Sequence, residues 1–145
     1  MGEVPPRVLA LCDARLSSMD ERYELGAELG QGRFSTVVVA THRATGARFA
    51  AKAVDNDAFA EEETVDAFEA EVSILRAVDH PHVVRLAEVV TAQSSPCTYL
   101  LIELMRGGEL FTQVLEEGPL DELRAKRLFA QVALATASLH AQAIY

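Results

Sequence analysis

A glycine-rich run followed by a lysine gives this sequence its first chemical content. Leu29-Gly30-Gln31-Gly32-Arg33-Phe34-Ser35-Thr36-Val37 precedes Phe49-Ala50-Ala51-Lys52. Small residues let backbone N–H groups approach an anion closely. A Gly-x-Gly pair alone also marks ordinary turns, so its flanks decide its meaning. Tyr23 to Leu29 alternates apolar and polar residues, the period of a half-buried strand. Thr36-Val37-Val38-Val39-Ala40 is β-branched and strand-like. The glycine run therefore joins two strands as a hairpin lid. A third strand, Ala47 to Val54, delivers Lys52 from the middle of a small, apolar stretch.

Two other phosphate-binding loops fail against these residues. A dinucleotide fingerprint needs a helix after the glycines and a third glycine where Ser35 stands, whereas a strand follows here. A Walker-type loop needs Gly-Lys-Ser/Thr, and that triplet is absent from the sequence.

The elements that must position Lys52 follow in order. Arg43-Ala44-Thr45-Gly46 is a turn whose glycine lets the chain reverse into the third strand. Asp55-Asn56-Asp57 ends that strand. A helix is expected from about Glu62 to Val78, with Val65, Phe68, Val72 and Leu75 on one face. Glutamates in its first turn suit the positive end of the helix dipole. Glu71 falls on or beside the apolar stripe, where a carboxylate needs a cationic partner. Lys52 is one candidate; a surface position near Arg76 is the other, and helix geometry does not choose between them. Further strands are expected at Leu86 to Thr91 and Thr98 to Glu103, separated by the polar loop Ala92-Gln93-Ser94-Ser95-Pro96.

The order and spacing of the glycine loop and the Ala-Ala-Lys strand resemble the protein kinase family. Further stretches extend the resemblance in register. Glu71-Val72-Ser73-Ile74-Leu75-Arg76 resembles the family's helix C signature, and this selects Lys52 as the partner of Glu71. Asp79-His80-Pro81-His82-Val83-Val84 resembles the turn after that helix; the proline stops the helix, and His80 is expected to pack or hydrogen-bond there rather than bind metal. Tyr99-Leu100-Leu101-Ile102-Glu103-Leu104-Met105-Arg106-Gly107-Gly108-Glu109-Leu110 resembles the hinge and the start of helix D, especially in the calcium/calmodulin-dependent group of Ser/Thr kinases. Leu128, Phe129, Val132, Ala135 and Leu139 form the stripe of a last helix, capped by Asp121, that matches helix E.

The resemblance implies an α+β fold: a five-stranded antiparallel sheet with helix C, a hinge, and helices D and E. It assigns 23–102 to the small lobe, 103–108 to the hinge and 109–145 to the start of the large lobe, with 1–22 a poorly ordered extension. It also implies ATP as ligand. Lys52 would hold the α- and β-phosphates and Glu71 would hold Lys52. Gly30, Gln31, Gly32, Arg33, Phe34 and Ser35 would cover the phosphates. Leu29, Val37, Ala50 and Leu110 would enclose the adenine, with Ile102 behind it. The Glu103 carbonyl and Met105 amide would bond its edge, and Glu109 the ribose.

Composition bounds the partners. Thirteen Lys and Arg against 22 Asp and Glu give a net charge of −9, which repels nucleic acid and anionic membrane. Cys12 and Cys97 lack both a disulfide framework and metal-ligand spacing, as in a reducing, cytoplasmic protein. Val8-Leu9-Ala10-Leu11-Cys12 is too short to span a membrane.

In kinases the catalytic loop and the D-F-G and A-P-E segments follow a position like Ile144-Tyr145. Their Asp and Asn residues orient the substrate hydroxyl and hold Mg2+. The 145 residues are therefore expected to be a truncated, ATP-binding part of a protein Ser/Thr kinase, inactive alone, with a protein substrate only in the complete enzyme. Helix E without the rest of that lobe should expose its stripe and drive association. The alternative is a non-catalytic decoy that binds a kinase or its regulator. Calmodulin regulation is left open by these residues.

Overall fold

Period-two alternation becomes one antiparallel sheet in the computed structural model, which describes residues 3–13, 19–33, 35–91 and 96–145. Its strands are β1 (Tyr23–Gln31), β2 (Ser35–His42), β3 (Arg48–Asp55), β4 (Leu86–Thr91) and β5 (Cys97–Glu103), in the order β1-β2-β3-β5-β4. The helices are α1 (Pro6–Leu11), α2 (Met19–Arg22), α3 (Glu62–Ala77), α4 (Leu110–Glu117) and α5 (Glu122–Ala141). A 3-10 turn, Asn56–Ala60, leads from β3 into α3. This is the α+β architecture expected from the sequence. The polar loop at 92–95 and the loop-tip residue Phe34 lie outside the described residues.

The chain divides into two compact units, 1–77 with 85–104 and 78–84 with 105–145. In the first, alternation sorts the sheet side chains onto two faces. Val54, Val89 and Leu100 join Val65, Phe68 and Val72 of α3 in one buried cluster. Ala51, Val90, Tyr99 and Leu101 point the other way and pack with Met19 and Tyr23. The turn before β3 closes as expected: Gly46 has φ +70°, a left-handed conformation that glycine adopts without a Cβ clash, and its N–H donates to the His42 carbonyl at 2.8 Å. Where β3 ends, the Thr98 hydroxyl donates to Asn56 Oδ1 at 2.8 Å, so these two buried polar side chains satisfy one another.

The expected disorder of the extension is overturned where it is described. Pro6–Leu11 is helical and Val8 is fully buried in the α3 cluster; Met19, in the short α2, is fully buried on the opposite face. Within the apolar run 8–11, Val8 is core and Leu11 packs at its edge, which the sequence-based reading missed because so short a helix has little stability before it docks.

In the second unit the His82 N–H donates to His80 Nδ1 at 3.2 Å, giving His80 the turn role expected of it. The Asp121 side chain caps α5 by accepting from the Arg124 N–H at 2.9 Å. Neither α4 nor α5 contains a buried residue, and Phe129 and Val132 are 73 % and 61 % exposed. No helix among the described residues is long and apolar enough to cross a membrane.

Candidate functional site

The site begins with strand register. Val37 pairs with Lys52 across β2 and β3, and Lys52 pairs with Leu100 across β3 and β5. Ala50 pairs with Ile102 one step along. Directly paired residues share a face, and residues two apart on a strand do too. Val37, Ala50, Lys52, Val54, Leu100 and Ile102 therefore lie on the face that carries α3.

The α3 periodicity brings Glu71 to the same place. Val65, Phe68 and Val72 are buried against the sheet, and Glu71 lies beside that stripe. Lys52 Nζ donates to Glu71 Oε2 at 2.6 Å. The side chains are 30 % and 37 % exposed, so the pair is reachable from solvent. Of the two partners left open by helix geometry, Lys52 is the one observed. Arg76 instead donates to the Leu11 carbonyl and to Asp13.

The pair sits in a cleft of about 250 Å³, lined by Arg33 and Ser35 of the glycine-rich hairpin, Val54, and Thr64, Ala67 and Phe68 of α3. Thr64, Ala67 and Phe68 were absent from the sequence-derived set. Their spacing ahead of Glu71 puts them on one side of the helix, which is the signal that could have found them. The hairpin closes through the Gly32 N–H, which donates to the Ser35 carbonyl at 2.7 Å. A larger cleft of about 520 Å³ shares Arg33 and Ser35, adds Gln31 and Gly32, and is walled by Asp55, Asp57 and Glu61. Those carboxylates repel an anion, whereas the smaller cleft is lined by two cations, Lys52 and Arg33, and one carboxylate, Glu71.

The other expected residues are distributed as follows. Leu29, Gly30 and Gln31 close β1, with Gly30 opposite Val37 and Gln31 opposite Thr36. Leu29 is half exposed, and Ala50 is buried. Glu103, at the end of β5, donates its N–H to the Arg85 carbonyl at 2.9 Å. Met105, Glu109 and Leu110 belong to the second unit; Met105 is 64 % exposed. Among the described residues no three His, Cys, Asp or Glu side chains gather as a metal-binding group.

Comparison with known proteins identifies a family. Residues 23–145 match the family model described as "Protein kinase domain". The sequence is 37 % identical over 129 residues to CBL-interacting protein kinase 1 of Oryza sativa subsp. japonica, covering 89 % of this chain and 28 % of that protein. It is 36 % identical over 124 residues to CBL-interacting serine/threonine-protein kinase 8 of Arabidopsis thaliana, covering 86 % of this chain and 27 % of the relative. The chain thus spans about a quarter of the length of the curated relatives it matches.

Proposed function

The chain belongs to the protein kinase family, and from that premise we propose that it is the ATP-binding portion of a protein serine/threonine kinase. The reaction of the complete enzyme is transfer of the ATP γ-phosphoryl group to a protein hydroxyl. The observation that carries this reading is the Lys52–Glu71 ion pair at 2.6 Å, in a cleft closed on one side by the glycine-rich hairpin.

In this reading Glu71 fixes the Lys52 ammonium so that its remaining N–H groups point at the α- and β-phosphates. Gly30, Gln31, Gly32, Arg33 and Ser35 form the loop over the same phosphates. Small residues let its backbone come close and Arg33 adds one cation; the Gly32 N–H is taken up in closing the hairpin. Val37, Ala50 and Ile102 form the apolar surface for the adenine ring, continued by Leu29. The Glu103 carbonyl bonds the ring edge; Met105, Glu109 and Leu110, in the second unit, are the further nucleotide contacts that the family resemblance implies.

The donor set suits a nucleotide phosphate better than it suits Mg2+. The described residues bring no three metal-ligating side chains together, so no step through the metal is assigned to these residues. Binding and orienting ATP is the chemistry proposed for this chain. Phosphoryl transfer requires the catalytic Asp and Mg2+ ligands of a complete kinase domain.

Calorimetric titration with Mg-ATP tests the reading, with Lys52→Met as the control. Saturable binding that is lost in the variant, at unchanged far-UV circular dichroism, supports it. Equal affinity in both proteins overturns it. Phosphoamino-acid analysis of a substrate treated with the complete enzyme then tests the Ser/Thr assignment.

A further inference from the structure

Helix α1 is six residues long, too short to persist in water without packing. It is held against α3 by two kinds of contact. Val8 is fully buried with Val65, Phe68 and Val72 of α3, while Val4 and Leu11 pack at the edge of the same cluster. Beside it, Arg7 reaches three carboxylates of α3. Its guanidinium bonds Glu62, bonds Asp66 at 2.8 Å, and takes Glu69 with both Nε and a terminal nitrogen.

A second tie lies at the other end of α3. Arg76 donates to the Leu11 carbonyl at 2.6 Å and to Asp13 Oδ1 at 2.8 Å. Asp13 is itself fixed to β4: its N–H donates to the Val89 carbonyl at 3.0 Å, and its Oδ2 accepts from the Val89 N–H at 2.9 Å. The segment 7–13 therefore grips α3 near its start and near its end and anchors the second grip on the sheet. Glu71 lies between the two grips.

We propose that this N-terminal segment is a built-in brace that sets the position of α3, and that Arg7 is a positioning residue acting on nucleotide through Glu71 and Lys52. The proposal rests on the nucleotide-binding reading above. Its physical basis is charge as well as packing. Glu62, Asp66 and Glu69 stand three and four residues apart on one side of α3, where like charges repel. Arg7 cancels that repulsion and ties all three to one point. A guanidinium fork suits the task, since it can serve several carboxylate oxygens at fixed angles. An exposed ion pair adds little stability by itself. Its effect here is on where the helix sits. A displacement of α3 shifts the Glu71 backbone relative to Lys52, so the two long side chains hold the pair at the cost of their preferred geometry or lose it.

The test is a double-mutant cycle in the protein carrying this chain, reading the Mg-ATP dissociation constant and the thermal midpoint separately. Arg7→Ala is expected to raise the dissociation constant about fivefold or more, the scale of a typical coupling between sites. In a Glu71→Ala background the same change is expected to add nothing, because the contact it supports is then gone. Arg7→Lys keeps the charge and the stem but not the fork; it is expected to fall between wild type and Arg7→Ala, and it decides the matter if Arg7→Ala does not fold. A lowered midpoint with unchanged affinity would overturn the proposal by making Arg7 purely structural. Losses that multiply in the double variant would overturn it too, since Arg7 would then act independently of Glu71. Wild type and Lys52→Met titrated alongside separate these results from failure of the nucleotide reading, in which neither binds or both bind alike.

Discussion

Lys52 and Glu71 lie 19 positions apart in sequence and meet at 2.6 Å, one from the middle of a strand and one from the middle of a helix. Neither position is arbitrary. Lys52 shares its sheet face with Val54, which is buried under α3, and Glu71 precedes Val72, which is buried on the sheet. The packing that builds the core therefore also sets the ion pair, and the pair is only as well placed as α3 is.

Removing either partner should separate binding from stability. Lys52→Met is expected to weaken Mg-ATP binding about 10- to 100-fold, the equivalent of about 1.5–3 kcal/mol for a hydrogen bond to a charged group. Glu71→Gln should fall between wild type and that variant. Both side chains are partly exposed, so thermal midpoints should move by no more than about 2–4 °C, as for a surface pair of up to about 1 kcal/mol. Calorimetry and differential scanning fluorimetry on the same samples check this.

The two loop glycines should respond differently to a methyl group. A Cβ at Gly30 would meet nothing within 4 Å, whereas one at Gly32 would come within 3.1 Å of Ser35 Oγ and 3.4 Å of its carbonyl oxygen. Gly30→Ala is expected to leave the thermal midpoint unchanged and still weaken nucleotide binding, by blocking backbone approach to the phosphates. Gly32→Ala should disturb the hairpin itself. Midpoints and titrations compared across both variants test the difference.

The buried Thr98–Asn56 hydrogen bond predicts a stability loss without a binding loss. Thr98→Val keeps the volume but leaves Asn56 Oδ1 without its donor. The expected cost is about 1–3 kcal/mol, the desolvation penalty of an unsatisfied buried polar group. Urea unfolding should show a lower midpoint with an unchanged slope.

Tyr23 predicts an alkaline weakness. Burial, and then its hydrogen bond to Glu88, raise the Tyr23 pKa well above its ordinary value of 10.0. Above pH 10 the unfolded chain releases this proton while the folded one retains it. The unfolded state then binds fewer protons, so stability falls as pH rises. The contribution is intact below about pH 10 and is lost progressively above it. Tyr23→Phe removes the titration and should flatten that limb of a stability–pH curve; Arg22, which bonds both Glu88 oxygens at 2.7 and 2.9 Å, still holds the carboxylate.

Much of this protein is determined locally. Alternation fixes the strands, and β4 spans Leu86–Thr91 as read from the sequence. Helical spacing fixes α3 and its buried residues, Gly46 fixes a turn, and Asp121 fixes a cap. These features depend on residues within a few positions of one another, where backbone sterics and side-chain period act directly. Three things were left to the tertiary structure. Helix geometry left Glu71 two possible partners, and only the register of β3 beneath α3 places Lys52 within 2.6 Å. Thr64 and Phe68 enter the cleft wall only once α3 is laid on the sheet. The segment 6–11 read as part of a poorly ordered extension because six residues cannot hold a helix by themselves. The burial of Val8 against Val65, Phe68 and Val72 supplies the missing free energy from residues distant in sequence, and the carboxylates facing Arg7 fix where it docks.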